Sequence, residues 1–334
     1  MRSYGGNRLG LGAAEVNPFS NERGVALMIV LWVMAILMIV VTEFVYTMKV
    51  DGAGAGNFKD EAEAGYLASA GVNMGLAGIS GDYDLACYEN GKLVFRKKNS
   101  SGLLDIDSNG SFDLGGGRVS YTIEDESGKI NINSASRETV AELLRITGVE
   151  QADVDTIADS LLDWIDGNDE HHLNGAETDY YSSLVNPYKA KNGPLDTVEE
   201  LLLVRGMTPE IFYGTVSVPP ELASTGGGHG REYRGIYRHV TVRGNGRLNI
   251  NTAGETALEA ALGRGRAQEI MLRRSTEGFF DTPAYGGVVT SDVFLIRASG
   301  EVKGMKAGIV AVAERRGGSG AVISYWKEEG IIPD

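Results

Sequence analysis

Between Asp159 and Tyr180 the chain reads DSLLDWIDGNDEHHLNGAETDY. It carries Asp159, Asp163, Asp166, Asp169, Glu170, Glu177 and Asp179, with no Lys or Arg among them. Asp159, Asp163 and Asp166 fall at i, i+4 and i+7, on one face of a helix. Like charges at this density raise one another's pKa and cost stability unless something neutralises them. The C-terminal end of a helix disfavours anions as well. Hard oxygen ligands crowded at a helix end suit Ca²⁺, and the expected ligands are Asp166, Asp169, Glu177 and Asp179. Asp166, Asn168, Glu170 and Glu177 match positions one, three, five and twelve of an EF-hand loop, but His171 stands where that loop needs Gly. The stretch is therefore no EF-hand. The competing reading is a solvated acidic loop. His171 and His172 are expected to be exposed rather than ligands, because Zn²⁺ would want further His or Cys.

A second stretch, DIDSNG from Asp105 to Gly110, matches only the first half of such a loop, since Gly116 falls at position twelve. It lies between strand-like segments, and a plain hairpin turn is the stronger reading. No G-x-S-x-G, H-E-x-x-H or P-loop is present, and the four His give no triad spacing. Cys87, the only cysteine, has no His nearby in sequence and cannot form an intrachain disulfide. The chain is not expected to be an enzyme.

The net charge of −14 over 334 residues, with a pI near 4.9, repels phosphate backbones. Two segments, ETVAELLRITGV and TVEELLLVRGM, resemble helix-hairpin-helix modules. Their turns, Thr147-Gly148-Val149 and Arg205-Gly206-Met207, each lack the second Gly, and no basic stripe accompanies them. They are read as scaffold, and no nucleic-acid partner is expected.

The elements that position the acidic stretch begin with a run of 17 apolar residues, Val25 to Val41. As helix it would reach about 26 Å against a hydrocarbon core of roughly 30 Å, with Thr42 to Tyr46 extending it into the interface. Ala53-Gly54-Ala55 offers a secretory cleavage site, but it lies past Glu43, Lys49 and Asp51, too far downstream. From Asn57 to Ile79, Phe58, Ala62, Tyr66, Ala70 and Met74 recur every four residues with Leu67 and Gly71 beside them, so a helix continues, and its many small residues let partner helices approach closely. That ridge is expected to pack on neighbouring subunits below and on the chain's own sheet above. KLVFRKK and GRVSYTIEDESG read as early strands. DVFLIRASGEVKG, AGIVAVAERR and AVISYWKEE read as a late antiparallel meander. Early and late strands would share one sheet packed on the helix, with an α-domain inserted between them.

The insert holds a weak repeat, KININSA at Lys129 and RLNINTA at Arg247, each opening a helix. Ser136 is a candidate N-cap. Asp196 with Glu199 is a candidate capping box closed by Gly206. ELASTGGGHGREY reads as a flexible linker.

Arg23-Gly24 followed at once by the apolar run resembles the type IV prepilin signal. The resemblance implies that a prepilin peptidase cuts between Gly24 and Val25 on the cytoplasmic side and leaves the helix attached. Gly suits a site where a peptidase must approach the backbone closely. Arg2, Arg8 and Arg23 keep the leader inside, so the chain beyond the helix should face the periplasm. Major pilins of this kind carry Glu at the fifth residue after the cut; here it is Ile29, which points to a special subunit.

From Arg23 onward the chain resembles the K-type minor pseudopilin of the type II secretion system. The resemblance rests on the junction lacking that Glu, on GKININSA, on HVTVRGNGRLNINTA, and above all on DSLLDWIDGNDEHHLNGAETDYY with YKAKNGPLDTVEELLLVRGMTPEIFYG. It implies an α+β, type IV pilin-like fold with a large inserted all-α domain of helix-hairpin-helix or SAM-like kind. The implied divisions are a cleaved leader (1–24), an N-terminal helix (25–80, membrane half 25–46), a β region (81–130), the insert (131–285) and C-terminal strands (286–334). It also implies N-terminal methylation, calcium in the acidic insert and single-pass anchoring in the inner membrane. The implied partners are the I- and J-type minor pseudopilins, the major pseudopilin and the prepilin peptidase. The implied role is the tip of the pseudopilus, starting and capping its assembly. The rival reading is a membrane-anchored periplasmic calcium-binding interaction protein unrelated to secretion.

Overall fold

The computed structural model describes residues 22–89, 91–97, 108–217, 232–316 and 320–329. The chain divides into two units, residues 1–59 and 60–334.

In the first unit the described residues belong to α1 (Glu22–Ile79). Every side chain from Val25 to Val50 is solvent-exposed, apolar ones included. With no polar face and no protein cover, such a surface is suited to lipid. Among the described residues α1 is the one helix long and apolar enough to cross a membrane. Gly24 and Val25 lie within it, whereas the leader up to Asn21 is outside the described residues.

In the second unit five strands form one antiparallel sheet in the order β3-β4-β7-β8-β9. They are β3 (Asn109–Leu114), β4 (Gly117–Asp125), β7 (Val293–Val302), β8 (Met305–Arg315) and β9 (Ala321–Glu329). Alternating residues put Tyr121, Ile123, Ile296, Ala298, Ile309 and Ala311 into one core with Ala68, Val72 and Ile79 of α1. The expected helix-on-sheet packing and the late meander are both present.

The face that α1 turns to the sheet is centred on the Leu67 and Gly71 side of the expected ridge, not on the ridge itself. Ala64, Leu67, Ala68, Gly71, Val72, Gly75 and Ile79 are buried, while Tyr66 is 77% exposed and Phe58 and Met74 also face solvent. A strict four-residue spacing drifts around a 3.6-residue helix, and bulky rings cannot enter so close a contact. A Cβ at Gly71 would stand 2.9 Å from that of Ala298, and one at Gly300 would collide with the Ala64 carbonyl oxygen. Small residues, not the aromatic ridge, set this packing.

One further expectation is corrected here. β1 (Leu85–Glu89) and β2 (Lys92–Arg96) form a separate hairpin outside the five-stranded sheet, although Ala86, Leu93 and Phe95 reach the same core. Gly110 lies within β3, and the turn to β4 comes at Gly115 and Gly116, both at positive φ. Asp105 to Asp107, and linker residues 221–231, lie outside the described residues.

Helices dominate the regular structure between β4 and β7: α2 (Arg137–Ile146), α3 (Gln151–Ile165), α4 (Thr178–Ser182), α5 (Pro209–Tyr213), α6 (Glu255–Leu262) and α7 (Arg264–Thr276). Two short strands, β5 (Ile130–Asn131) and β6 (Val240–Thr241), pair in parallel. Leu144, Ile157, Leu161, Phe212, Leu258 and Ile270 are among its fully buried side chains and form a core separate from that of the sheet. Ser136 caps α2, accepting from the Thr139 N–H. The second cap sits one residue later than expected: the Glu200 carboxylate accepts from the N–H groups of Asp196 (2.8 Å) and Thr197 (3.1 Å). It opens a short 3₁₀ turn, Val198–Leu203, rather than an α-helix.

Candidate metal centre

α3 delivers Asp159 and Asp163 to one side, and the chain then folds back over both. The Asp159 carboxylate accepts from Arg137 Nε (2.5 Å) and from Asn174 N (3.1 Å) and Nδ2 (3.0 Å). Burial pushes Asp159 up, but Arg137 and Asn174 outweigh it and hold the carboxyl below its ordinary value. Asp159 thus has a basic partner 22 residues earlier, in α2, which corrects the picture of seven unpartnered carboxylates.

Asp163 Oδ1 accepts from His172 N (3.0 Å) and meets His172 Nδ1. That hydrogen bond raises the His172 pKa. His171 and His172 are both exposed, as expected, and His172 is also hydrogen-bonded into the cluster. Asp163, Asp166 and His172 can bring ligand atoms within 4.8 Å of one another.

Beside this group, Asp169, His171, Glu177, Asp179, Lys189 and Asn192 line a cavity of about 570 Å³. Of the four expected ligands, Asp169, Glu177 and Asp179 share this cavity. Asp166 stands in the neighbouring group, and its charge still reaches Glu177. His171 Nε2 lies 3.1 Å from Asp179 Oδ1. The Asn168 N–H bonds to Asp166 Oδ1 and the Glu170 N–H to Asn168 Oδ1, so the loop is wound tightly by its own side chains.

Several acceptors here lack any partner. Glu177 is only 1% exposed, and neither carboxylate oxygen has a hydrogen bond. Asp163 Oδ2 and Asn192 Oδ1 are also buried and unbonded. Desolvation, then the charges of Asp163, Asp166 and Asp169, push Glu177 up to about 7. Buried acceptors without donors are rare in native proteins, and a cation is one way to satisfy such groups. The donor set, all oxygen apart from the two imidazoles, fits Ca²⁺. Asp163 and Asn192 were not among the expected ligands. Asp163 sits one helical turn before Asp166, a signal the spacing carried; Asn192, held at φ 48°, comes from a remote loop.

A second polar centre ties the helical region to the sheet. Asp125, at the end of β4, is buried, and Oδ2 accepts from Thr252 Oγ1 (2.5 Å), Ser291 Oγ (2.5 Å) and Asn249 Nδ2 (3.3 Å). Its Oδ1 accepts from the Ser127 N–H at 2.8 Å. Burial pushes Asp125 up to about 6 against the pull of these donors.

The repeat supplies the remaining joints. In each copy the first Asn accepts from the N–H two residues on: Asn131 from Asn133 (3.0 Å), and Asn249 from Asn251 (2.9 Å). The second Asn then binds both backbone groups of a distant residue. Asn133 holds Leu195 and Asn251 holds Phe280.

An antiparallel sheet packed on the C-terminal part of α1, with a helical region between neighbouring strands, has a pilin-like fold, and the apolar part of α1 is suited to a membrane. Comparison with known proteins narrows the class. Residues 119–214 match the family model described as type II secretion system (T2SS), protein K. The chain is 23% identical over 213 residues to type II secretion system protein K of Pectobacterium carotovorum, covering 58% of this chain and 61% of the relative. It is 25% identical over 273 residues to the protein K of Pseudomonas aeruginosa, covering 77% and 74%. Its fold matches a chain in the crystal structure of the GspK-GspI-GspJ complex from enterotoxigenic Escherichia coli with TM-score 0.58 and 16% identity, covering 82% of this chain and 99% of that one. The K-type resemblance read from the sequence is thus borne out by the family match of residues 119–214, by the relatives and by the fold.

Proposed function

We propose that this chain is a minor pseudopilin that sits at the tip of a type II secretion pseudopilus, where it starts assembly and caps the filament. The observation that carries the reading is the fold match over 99% of a chain whose structure is that of a GspK-GspI-GspJ complex. The protein K domain at residues 119–214 supports it, since that segment includes the acidic stretch. The exposed apolar helix suits a single-pass anchor in the inner membrane, with residues 60–334 in the periplasm. Ile29 removes the carboxylate that would pair with a neighbouring amine, so this subunit has no membrane charge partner above it. The partners in this reading are the I- and J-type pseudopilins, then the major pseudopilin, with a prepilin peptidase acting earlier between Gly24 and Val25.

Ca²⁺ belongs to the proposal. Asp163, Asp166, Asp169, Glu177, Asp179 and Asn192 would hold it. The ion would offset the excess negative charge of this group of carboxylates and would fix the loop between α3 and α4. The role in this proposal is structural, not catalytic. Coexpression of the full chain with candidate I- and J-type partners, extraction in detergent and size-exclusion chromatography test the assembly. Co-elution as one complex is expected; separate elution in the presence of Ca²⁺ would refute it.

A further inference from the structure

Past the end of α3 the chain turns back and brings His172 against Asp163. The residue is held there twice. Its backbone N–H donates to Asp163 Oδ1 at 3.0 Å, and its ring Nδ1 meets the same oxygen. Gly175 lets the loop close this tightly, since a Cβ there would collide with the Asp163 carboxylate. Asp163 is fully buried, and its Oδ2 has no hydrogen-bond partner. Asp163, Asp166 and His172 each place a ligand atom within 4.8 Å of the others, the one such group of His, Cys, Asp or Glu among the described residues. His171 belongs elsewhere. Its Nε2 lies 3.1 Å from Asp179 Oδ1, on the cavity that Asp169, Glu177 and Asn192 also line. Two imidazoles adjacent in sequence thus serve different groups of carboxylates.

We propose that Asp163, Asp166 and His172 form a subsite for a divalent transition ion of the Zn²⁺ kind, while Ca²⁺ keeps the oxygen-lined cavity beside it. The proposal rests on the reading of this loop as a cation site and divides its ligands between two ions. Ligand chemistry makes the division. Ca²⁺ takes oxygen ligands and gains little from an imidazole, whereas Zn²⁺ binds imidazole nitrogen and carboxylate oxygen alike. The further His or Cys that Zn²⁺ usually wants are replaced here by two carboxylates, which also bring negative charge to the ion. Ligand atoms around tetrahedral Zn²⁺ stand about 3.3 Å apart, so a small closing movement of these side chains completes the group.

The test uses the full chain in detergent, stripped of metal and dialysed against Ca²⁺, Zn²⁺ or both, with bound metal counted by atomic emission. One Zn²⁺ per chain is expected, and it should be retained in the presence of Ca²⁺. His172→Ala should weaken Zn²⁺ binding at least about tenfold in titration calorimetry. The same variant should keep the rise in melting temperature that Ca²⁺ gives, which also shows that it folds. His171→Ala should leave the Zn²⁺ affinity unchanged. No bound Zn²⁺ alongside an intact Ca²⁺ response would overturn the subsite and leave the Ca²⁺ reading standing. No response to either ion would overturn both. Complete displacement of Zn²⁺ by Ca²⁺, or Zn²⁺ binding that survives His172→Ala, would also overturn the proposal.

Discussion

The Asn133 side chain grips the backbone of Leu195 at both ends: Oδ1 accepts from the Leu195 N–H at 2.7 Å, and Nδ2 donates to its carbonyl at 3.0 Å. The two residues are 62 positions apart. Asn251 repeats the arrangement on Phe280, with both bonds at 2.9 Å. In each copy the gripped residue is followed by Asp-Thr, at Asp196-Thr197 and Asp281-Thr282, so the internal likeness reaches beyond the seven-residue motif. Replacing either Asn with Ala strands one backbone donor and one acceptor. At about 1–3 kcal/mol for each unsatisfied group, Asn133→Ala and Asn251→Ala should each cost roughly 2–6 kcal/mol. Urea unfolding checks this; a loss below about 0.5 kcal/mol for either variant would show that the grip is dispensable.

Asp125 gives a dependence on pH with a definite sign. Its pKa is raised from 3.8 to about 6 in the folded chain. The unfolded chain therefore loses this proton first as pH rises. The associated stability is fully present below the ordinary carboxylate range and is lost as pH climbs through about 6. Tyr83 and Tyr88, both pushed up by burial, stay neutral across this window. Melting curves from pH 4 to 8 should show the wild type losing stability relative to Asp125→Asn as pH rises. Parallel curves would remove the assignment.

Calcium should stabilise the insert. A ligand at 100 times its Kd adds about 2.7 kcal/mol, so EDTA should lower the melting temperature by several degrees. Glu177→Gln should abolish most of that difference, since both of its oxygens are buried without donors. Identical melting in Ca²⁺ and EDTA would exclude the ion.

The close approach of α1 to the sheet depends on Gly300, where a Cβ would meet the Ala64 carbonyl oxygen and the Leu67 side chain. Gly300→Val should push the helix off its seat at a cost of about 1–3 kcal/mol or more. Hydrogen exchange would show the loss as faster exchange in residues 64–72. Unchanged protection there would contradict the packing described.

Much of this was legible in the chain itself. The apolar run, the late meander and the acidic stretch are local patterns, and each lies where its periodicity put it. The failures have a common cause. Arg137 with Asp159, Asn192 with Asp169, and Asp125 with Ser291 are contacts between residues far apart in sequence, and no local spacing encodes them. The sheet-facing side of α1 was legible only in part, through Leu67 and Gly71, for a related reason. Aromatic residues dominate the apolar pattern there, yet steric room at Gly71 and Gly300 decides which side can approach the strands. The cap at Thr197 was missed by one residue because Asp196 and Thr197 are both good caps, and only the reach of Glu200 separates them.

Processing offers a further check. Gly24→Leu should leave the precursor uncut, because the peptidase must approach the backbone there. N-terminal sequencing of the wild type should begin at Val25. A start at Gly56 would mean an ordinary secretory signal and would end the pilin reading.

The place of this subunit in a filament is measured most directly by quantitative labelling of isolated pseudopili containing the full chain. The labelled copies should number one per filament end, whatever the filament length. Copies that increase in proportion to length would contradict the tip assignment.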